Sequence, residues 1–434
     1  MRILAVTAGA GGMYCGSCLR DNALAAELMA RGHDVVLLPV YTPTRVDEEN
    51  VSDSHVFFSG ISVYLEQNFA LFRKTPAILD FIWDTPAVIR AATGRGVSVD
   101  PELLGDMTVS MLRGEAGHQA KEFEKLLRYL KEQPPFDVVM LPTSLLVSLA
   151  PPLVRELRRP IVCTLSGEDL FIEGLPAPYR KQTKQLIASH EAVVSRFIAT
   201  SDYYAEFMAG YLELPRRKIE TAPIGIRFDG FEPLPHREPG RPFTIGYMAR
   251  IAPEKGLHLL ASAYIRMRRE LGLQPSRLEA AGYLAPEHRT YLDGVTQALA
   301  AVGLEGEFRC HGTVDRPQKI AFLQGLDVLS VPSPYAEPKG LYLLEALATG
   351  VPVVEPRHGA FPELVEKTGG GVLFEPGKVK DLAERLMELG RDPERRRELG
   401  RRGGLGVRQH YSAARMAERT LEICEAARGA FASA

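Results

Sequence analysis

The chain has 434 residues, of which 45% are hydrophobic and 24% charged, as in a globular protein of about two or three domains. Its formal net charge of -2 excludes a strong overall field for recruiting nucleic acid, so we expect no nucleic-acid partner. The five cysteines are scattered, which excludes a disulfide framework and favours a reducing compartment.

The N-terminus reads MRILAVTAGAGG, with one basic residue before a short apolar run. This run is too short for the core of a signal peptide and is typical of a buried strand. No stretch of the sequence reaches the ~18 uninterrupted apolar residues of a membrane span. We therefore expect a cytoplasmic protein, with membrane association at its surface as an open alternative.

The first half of the chain opens with a β-α-β unit. The strand RILAVT, the loop AGAGG, the helix LRDNALAAELMARG and the buried strand DVVLLPV follow one another. This order predicts a parallel sheet. After an irregular insertion at 41–135, strands and helices alternate again, from FDVVMLP to KIETAPI. We assign residues 1–225 to an N-terminal Rossmann-like domain.

A segment rich in Gly, Pro and charge, GIRFDGFEPLPHREPGRP, is interpreted as a linker to a second alternating run. We assign 226–409 to a C-terminal Rossmann-like domain and 410–434 to a helix that packs back towards the N-terminal domain. The two runs predict an α/β fold of two Rossmann-like domains that face each other across a cleft. Ligands are expected at the carboxyl ends of the strands.

Two glutamates, Glu337 and Glu345, flank a predicted helix start in the second domain. Pro338 disfavours helical conformation at Glu337, so the helix is expected to begin near residue 340. The unpaired N–H groups and the dipole at a helix start form an anion site that suits a diphosphate. Glu337 would then accept hydrogen bonds from a sugar, and Glu345 from a ribose. The amides concerned are those of Gly340, Leu341 and Tyr342. A loop charge and an exposed helix residue are the alternative interpretation of the two glutamates.

A second stretch, GYMARIAPEKG, follows the first strand of the second domain. Its Arg250 and Lys255 flank a short loop that opens a helix. Two cations beside a strand end suit a diphosphate and can stabilise the charge that develops on a leaving nucleotide. Two solvated surface cations are the alternative.

Together with HGTV (311–314) and EALATGVPVV (345–354), these elements resemble the retaining glycosyltransferases of the GT-B fold, family four. The resemblance is most specific over roughly 240–375. It implies that Arg250 and Lys255 bind the donor diphosphate and, with Glu337, form the catalytic set. It also implies that Glu337 binds the donor sugar and Glu345 the ribose. The nucleotide base would be contacted by the backbone of Gly312, Thr313 and Val314.

The first domain resembles the same family more weakly, and the resemblance makes it the acceptor domain. Its glycine loop implies that Gly11 and Gly12 approach the donor phosphate. The sequence departs from the family after the strand PIVCTL, where SGEDLF replaces the frequent histidine and glycine. Glu168 and Asp169 are therefore predicted to contact sugar or acceptor, with a structural hydrogen bond as an equal alternative. Lys339, where the family more often has an aromatic or small residue, adds a cation beside the sugar site.

The motif CGSC at Cys15 and Cys18 leaves three interpretations open. A dithiol at a helix start is chemically feasible, and a structural zinc site would need more ligands close by. Packing of a plain loop is the remaining interpretation.

The insertion segment GISVYLEQNFALFRKTP faintly resembles the acceptor side of bacterial glycogen and starch synthases, whose loop lysine is missing here. That resemblance implies a carbohydrate acceptor. Peripheral membrane contact and ordinary packing are the alternatives, because the region is rich in apolar side chains. These are Phe69, Leu71, Phe72, Phe81, Ile82 and Trp83.

The resemblance as a whole implies a retaining, metal-independent hexosyltransferase with no cofactor, and the sequence contains no D-x-D triplet. Its donor would be a UDP-, GDP- or ADP-sugar, and its acceptor a hydroxyl of a carbohydrate or a lipid-linked molecule. A sugar-nucleotide epimerase, a non-catalytic sugar-nucleotide-binding module and a dithiol oxidoreductase are the alternatives.

Overall fold

The computed structural model divides by internal contacts into two units, unit 1 (Met1–Pro223 with Met416–Ala434) and unit 2 (Ile224–Arg415). This division does not test the domain boundaries predicted at 225 and 409 or the predicted cleft between the domains, and these stay predictions. The residues that the structure describes are 1–9, 14–58, 62–63, 66–67, 101–233, 240–270, 272–273 and 275–433. The predicted membrane or acceptor segment at 69–83 and the glycines Gly11 and Gly12 lie outside them.

In its described residues, unit 1 contains a six-stranded sheet with the order β2-β1-β3-β4-β5-β6. All of its neighbouring strands pair in parallel. The strands are near-continuous apolar runs because helices cover both faces of such a sheet. They are β1 (Arg2–Thr7), β2 (Asp34–Pro39), β3 (Val138–Leu141), β4 (Ile161–Leu165), β5 (Arg196–Ala199) and β6 (Ile219–Thr221).

The helices of unit 1 confirm most of the predicted alternation. Within the described residues, the α-helices are α1 (Gly16–Ala30), α2 (Pro101–Leu112), α3 (Ala120–Lys131), α4 (Ala150–Leu157), α5 (Asp169–Glu173), α6 (Ala177–Ser189) and α7 (Asp202–Tyr211). Helix α2, within the insertion, was not predicted. Its Gly105 lies so close to Tyr179 of α6 that an added Cβ would be 2.5 Å from the ring, so α2 packs tightly on α6.

Unit 2 contains a second six-stranded parallel sheet, with the order β12-β11-β10-β7-β8-β9 among the described residues. Its strands are β7 (Phe243–Met248), β8 (Ser276–Ala281), β9 (Phe308–Cys310), β10 (Val328–Leu329), β11 (Val353–Pro356) and β12 (Gly371–Phe374). Its helices are α8 (Leu257–Arg269), α9 (Arg289–Ala300), α10 (Arg316–Gly325), α11 (Leu341–Ala348), α12 (Phe361–Thr368), α13 (Val379–Arg391) and α14 (Pro393–His410). A last helix, α15 (Ala413–Ala432), lies mostly in unit 1.

The winding of the unit 2 sheet reverses between β7 and β10. The chain places β8 and β9 on one side of β7, and β11 and β12 beyond β10 on the other. Open parallel sheets bind ligands at the carboxyl ends of their strands, beside such a switch point. A ligand-binding site is therefore expected at the loops that follow β7 and β10.

Helix α14 packs on its neighbours through glycines. A Cβ added to Gly400 would lie 2.1 Å from the carbonyl oxygen of Gly350, and one added to Gly403 would lie 2.6 Å from Leu347 of α11. The exposed side of α14 carries paired charges, such as Glu398 with Arg402 at 2.6 Å. The glycines thus allow close approach to α11, the helix that carries Glu345.

Candidate functional site

The loops after β7 and β10 bring Lys255 and Glu337 into direct contact. Lys255 ends a short 3-10 turn, Pro253–Lys255, and its ammonium forms an ion pair with the Glu337 carboxylate. The two side chains are only 16% and 7% exposed. The ring of Tyr335 lies 5.9 Å from the ammonium nitrogen. Two of the residues predicted to be catalytic are therefore neighbours, although 82 positions separate them in the chain.

Close backbone packing holds these two loops together. Gly256 has a φ of 77°, and an added Cβ would lie 2.1 Å from the carbonyl oxygen of Pro332. The Ser333 hydroxyl donates to the carbonyl oxygen of Glu254 at 2.9 Å. The loop after β11 also packs against these two loops, because the N–H of Ala360 donates to the carbonyl oxygen of Glu337 at 2.8 Å. The position of Glu337 is thus fixed by its backbone as well as by its charge.

Arg250 lies on the same loop as Lys255 but has a different partner. Its guanidinium pairs with Glu254 at 2.5 Å, and its side chain is 40% exposed. Its carbonyl oxygen accepts a hydrogen bond from the buried Tyr247 hydroxyl at 2.9 Å. Sequence reasoning did not find Glu254, which holds the Arg250 guanidinium at the rim of the site.

Helix α11 begins beside this ion pair, as predicted. Its first residue is Leu341, and Gly340 before it has a φ of 65°. The first N–H groups of the helix, those of Leu341 and Tyr342 among them, have no intrahelical partner and form a positive end. Lys339, half-buried, lies on the loop between Glu337 and this end. The helix start and the Lys255 ammonium therefore offer positive charge on the same edge of the sheet.

Glu345 is buried, which overturns the alternative of an exposed helix residue. Its carboxylate pairs with Lys319 of α10 at 2.5 Å, and the side chains are 9% and 10% exposed. The ring of Phe231 lies 5.5 Å from the Lys319 ammonium. Sequence reasoning missed Lys319, because a single lysine in an amphipathic helix gives no signal of burial.

The loop predicted to contact the base follows β9. Gly312 has a φ of 68°, and its carbonyl oxygen accepts from the N–H of Gly282 at 2.8 Å. Thr313 is exposed and Val314 half-buried. Asp315 then caps α10, so the loop positions the helix that carries Lys319. Contact with a base stays a prediction.

A buried carboxyl lies behind the ion pair. Glu355 of β11 is 0% exposed, and one of its oxygens accepts from the N–H of Val331 at 3.2 Å. In the part of the chain that the structure describes, its other oxygen and the buried Tyr342 hydroxyl have no hydrogen-bond partner. Burial, and then the charge of Glu337, raises the pKa of Glu355 well above its ordinary value. The Glu355 carboxyl group therefore keeps its proton to a higher pH than an exposed glutamate does.

In unit 1, the loop after β4 is tied down by its own acidic residues. One Glu168 oxygen accepts from the N–H and the hydroxyl of Ser144, at 3.0 and 2.6 Å, and the other from the N–H of Ser166 at 2.6 Å. Asp169 accepts from the Tyr204 hydroxyl at 2.7 Å. Both acidic side chains are 5% exposed. These contacts fit the structural alternative, and the predicted contact of Glu168 and Asp169 with a sugar or acceptor stays untested.

None of the helices within the described ranges combines the length and apolar character that crossing a bilayer requires. The predicted cytoplasmic location and surface association stay predictions.

Comparison with known proteins finds a family model that matches the part of the chain containing this site. Residues 231–404, which include Arg250, Lys255, Glu337 and Glu345, match the model of the glycosyl transferases group 1. A D-inositol 3-phosphate glycosyltransferase of Arthrobacter sp. (strain FB24) is 30% identical over 262 residues, covering 58% of this chain and 60% of that protein. The match thus spans about three fifths of that relative's length.

Solved structures match along almost the whole chain. Anabaena Alr3699/HepE, in complex with UDP and glucose, superposes with a TM-score of 0.70 at 16% identity, over 97% of this chain and 98% of that one. Sucrose-phosphate synthase from Thermosynechococcus elongatus has a TM-score of 0.71 at 16% identity, with 100% of both chains covered. The resemblance inferred from the sequence is therefore confirmed: the chain has the GT-B fold and resembles the glycosyltransferases of that fold, with the family match in residues 231–404.

Proposed function

We propose that this protein is a retaining, metal-independent glycosyltransferase that moves a hexose from a nucleoside diphosphate sugar to a hydroxyl of a carbohydrate or lipid-linked acceptor. The observation that carries the proposal is the Lys255–Glu337 pair beside the start of α11, at the switch point of the unit 2 sheet. The site combines an anion-binding end with a carboxylate that can accept from sugar hydroxyls.

The donor diphosphate lies on the first amides of α11 and is contacted by Lys255. An ammonium has three N–H donors, so Lys255 can donate to more than one phosphate oxygen. Arg250, at the rim, stabilises the negative charge that develops on the leaving nucleotide as the bond between sugar and phosphate breaks. The acceptor hydroxyl attacks from the face that the phosphate leaves, and its proton passes to a leaving phosphate oxygen. Glu337 orients the sugar during this step.

The donor is proposed as UDP-, GDP- or ADP-linked, with UDP-glucose as the first compound to test because HepE was solved with UDP and glucose. The buried Glu345 carboxylate, held by Lys319, is proposed to accept from the ribose hydroxyls. The lack of a D-x-D triplet in the sequence supports metal independence.

The test measures nucleotide release from a panel of UDP-, GDP- and ADP-sugars, with and without sugar and lipid acceptors. We expect release that requires an acceptor and that falls about 100-fold in Lys255→Ala, by comparison with removal of one group that stabilises a transition state. Lys380→Ala is the matched control, since this lysine of α13 is 69% exposed. Glu345→Ala should weaken donor binding.

Three outcomes contradict the proposal. Unchanged turnover in Lys255→Ala would remove the assigned site. Release without any acceptor would indicate an epimerase or a hydrolase. No nucleotide release from any compound of the panel, together with no thermal stabilisation by any donor, would favour a binding module.

A further inference from the structure

Two cysteines at the carboxyl end of β1 have no part in the proposed transfer. Cys15 is the residue before α1 and has an extended backbone, with a φ of -117° and a ψ of 127°; its side chain does not cap the helix. Cys18 lies in the first turn of the helix. Cys15 is partly exposed, whereas Cys18 is 1% exposed. One thiol of the pair therefore meets solvent and the other does not.

The two thiols are neighbours in a polar network at the end of the strand. Cys18 is hydrogen-bonded to Cys15 and to Thr7, the last residue of β1. The Thr7 hydroxyl in turn donates to Asp21 at 2.9 Å, and Arg20 also contacts Asp21. The hydrogen bond with Cys15, and then burial, raises the pKa of Cys18, which keeps it a thiol at neutral pH.

We propose that Cys15 and Cys18 form a reversible dithiol–disulfide pair whose co-reactant is a small disulfide of the glutathione type. Cys15 directly precedes the helix and Cys18 lies in its first turn, and the two side chains are already in hydrogen-bond contact, so the thiols meet without unwinding of α1. The N-terminal end of the helix stabilises a thiolate close to it, and Cys15 is the thiol of the pair that meets solvent, which favours Cys15 as the attacking group. Among the described residues no group of three or more His, Cys, Asp or Glu side chains is arranged to hold a metal, so the geometry favours redox chemistry over zinc.

The exchange proceeds in two balanced steps. The Cys15 thiolate attacks one sulfur of oxidised glutathione, the S–S bond of glutathione breaks, and one glutathione thiolate leaves and takes up a proton. Cys18 then loses its proton and attacks the sulfur of Cys15, which releases the second glutathione. Two electrons pass from the protein to glutathione, and the protein gains one disulfide.

The cysteine pair lies where its oxidation can affect the rest of unit 1. Strand β1 lies between β2 and β3, where the winding of this sheet reverses. Formation of the disulfide changes the contact between Cys18 and Thr7, at the edge where parallel sheets bind ligands. The pair is therefore a redox-responsive element at the ligand-binding edge of unit 1, independent of what unit 2 transfers.

The full-length protein is incubated under native conditions with excess oxidised glutathione, quenched with acid, denatured, alkylated and mapped by mass spectrometry. We expect Cys15 and Cys18 to lose alkylation together, with the mass change of one disulfide, and to regain it with reduced dithiothreitol. The half-buried Cys310 and the buried Cys163 and Cys424 should remain alkylated, and they serve as internal references.

Two variants separate the steps. Cys18→Ser should trap Cys15 as a stable mixed disulfide with one glutathione, and Cys15→Ser should leave Cys18 unreacted because it is buried. Since Cys15 is partly exposed, Cys15→Ser is expected to fold even if the variant at the buried position does not. Full alkylation of both cysteines after oxidation would overturn the proposal. So would a wild-type protein that accumulates glutathione on Cys15 without closing the disulfide.

Discussion

Replacing Lys319 by methionine tests how much the fold of unit 2 depends on the ion pair beneath the proposed ribose site. Methionine keeps most of the length of the side chain and removes its charge. The variant leaves the Glu345 carboxylate in an environment where it is only 9% exposed, without the ammonium that lies 2.5 Å away in the wild type. The variant therefore removes one partner of a buried ion pair and leaves the charge of the other partner in place.

The size of the effect follows from the burial of both groups. Breaking a buried pair from one side costs about 3–5 kcal/mol, because the remaining charge stays poorly solvated. Both side chains keep about a tenth of their exposure, so we expect the lower end, about 3 kcal/mol in the free energy of unfolding. Removing both charges, in Lys319→Met with Glu345→Gln, should return the protein to within about 1 kcal/mol of the wild type.

The assay is urea unfolding followed by far-UV circular dichroism, with hydrogen exchange at the amides of α10 and α11 to assign the transition to unit 2. Lys380→Met is the matched control, and we expect a change below about 0.5 kcal/mol because this side chain is 69% exposed. A single variant within 1 kcal/mol of the wild type would refute the reasoning. A double variant no more stable than the single one would do the same.

Three further predictions concern glycines and the buried carboxyl of unit 2. Gly403→Ala should destabilise the protein by about 1–3 kcal/mol in thermal unfolding, because its Cβ would lie 2.6 Å from a leucine of α11. The control Gly294→Ala, at a helix position with nothing within 4 Å, should instead stabilise the protein by up to about 1 kcal/mol. Equal effects of the two substitutions would contradict the packing argument. Gly256→Ala forces a side chain onto a backbone with a φ of 77°, which costs about 1–2 kcal/mol and displaces the loop that carries Lys255. Titration calorimetry should therefore show at least tenfold weaker binding of the donor. Binding with wild-type affinity would show that the loop tolerates the substitution. The raised pKa of Glu355 means that the folded protein holds this proton more tightly than the unfolded chain does, so the stabilisation is fully present below the ordinary glutamate value of 4.5 and is lost as the pH rises towards the folded-state value. Glu355→Gln cannot ionise, so its stability relative to the wild type should increase with pH in urea titrations above pH 4.5, and a difference that does not change with pH would mean that Glu355 has an ordinary pKa.

The strands of both sheets could be predicted because buried parallel strands are continuous apolar runs, such as RILAVT and FTIGYM. The start of α11 could be predicted as well, since Pro338 and Gly340 mark it by local backbone chemistry. Helix α2 was missed for the opposite reason. Its sequence includes Gly105, a poor helix former, and its helical state is supported by close packing against Tyr179, which lies far away in the chain.

The candidate site was predictable in its residues but not in its pairings. Arg250, Lys255, Glu337 and Glu345 could be named from motifs, but their ionic partners depend on which loops the sheet order brings together. Lys319 is a clear example, because nothing local distinguishes a buried lysine from a solvated one. The partners are supplied by tertiary structure, which sets the charge balance of the site.

The contact between Lys255 and Glu337 has a consequence for selectivity. A lone phosphate that draws Lys255 away leaves a carboxylate that is 7% exposed without its cation, and this opposes binding. A ligand that presents an anion to Lys255 and hydroxyl groups to Glu337 at the same time replaces both halves of the contact. We therefore expect the pair to act as a coincidence detector, with little response to inorganic phosphate and a strong response to molecules that join a phosphate to a polyol.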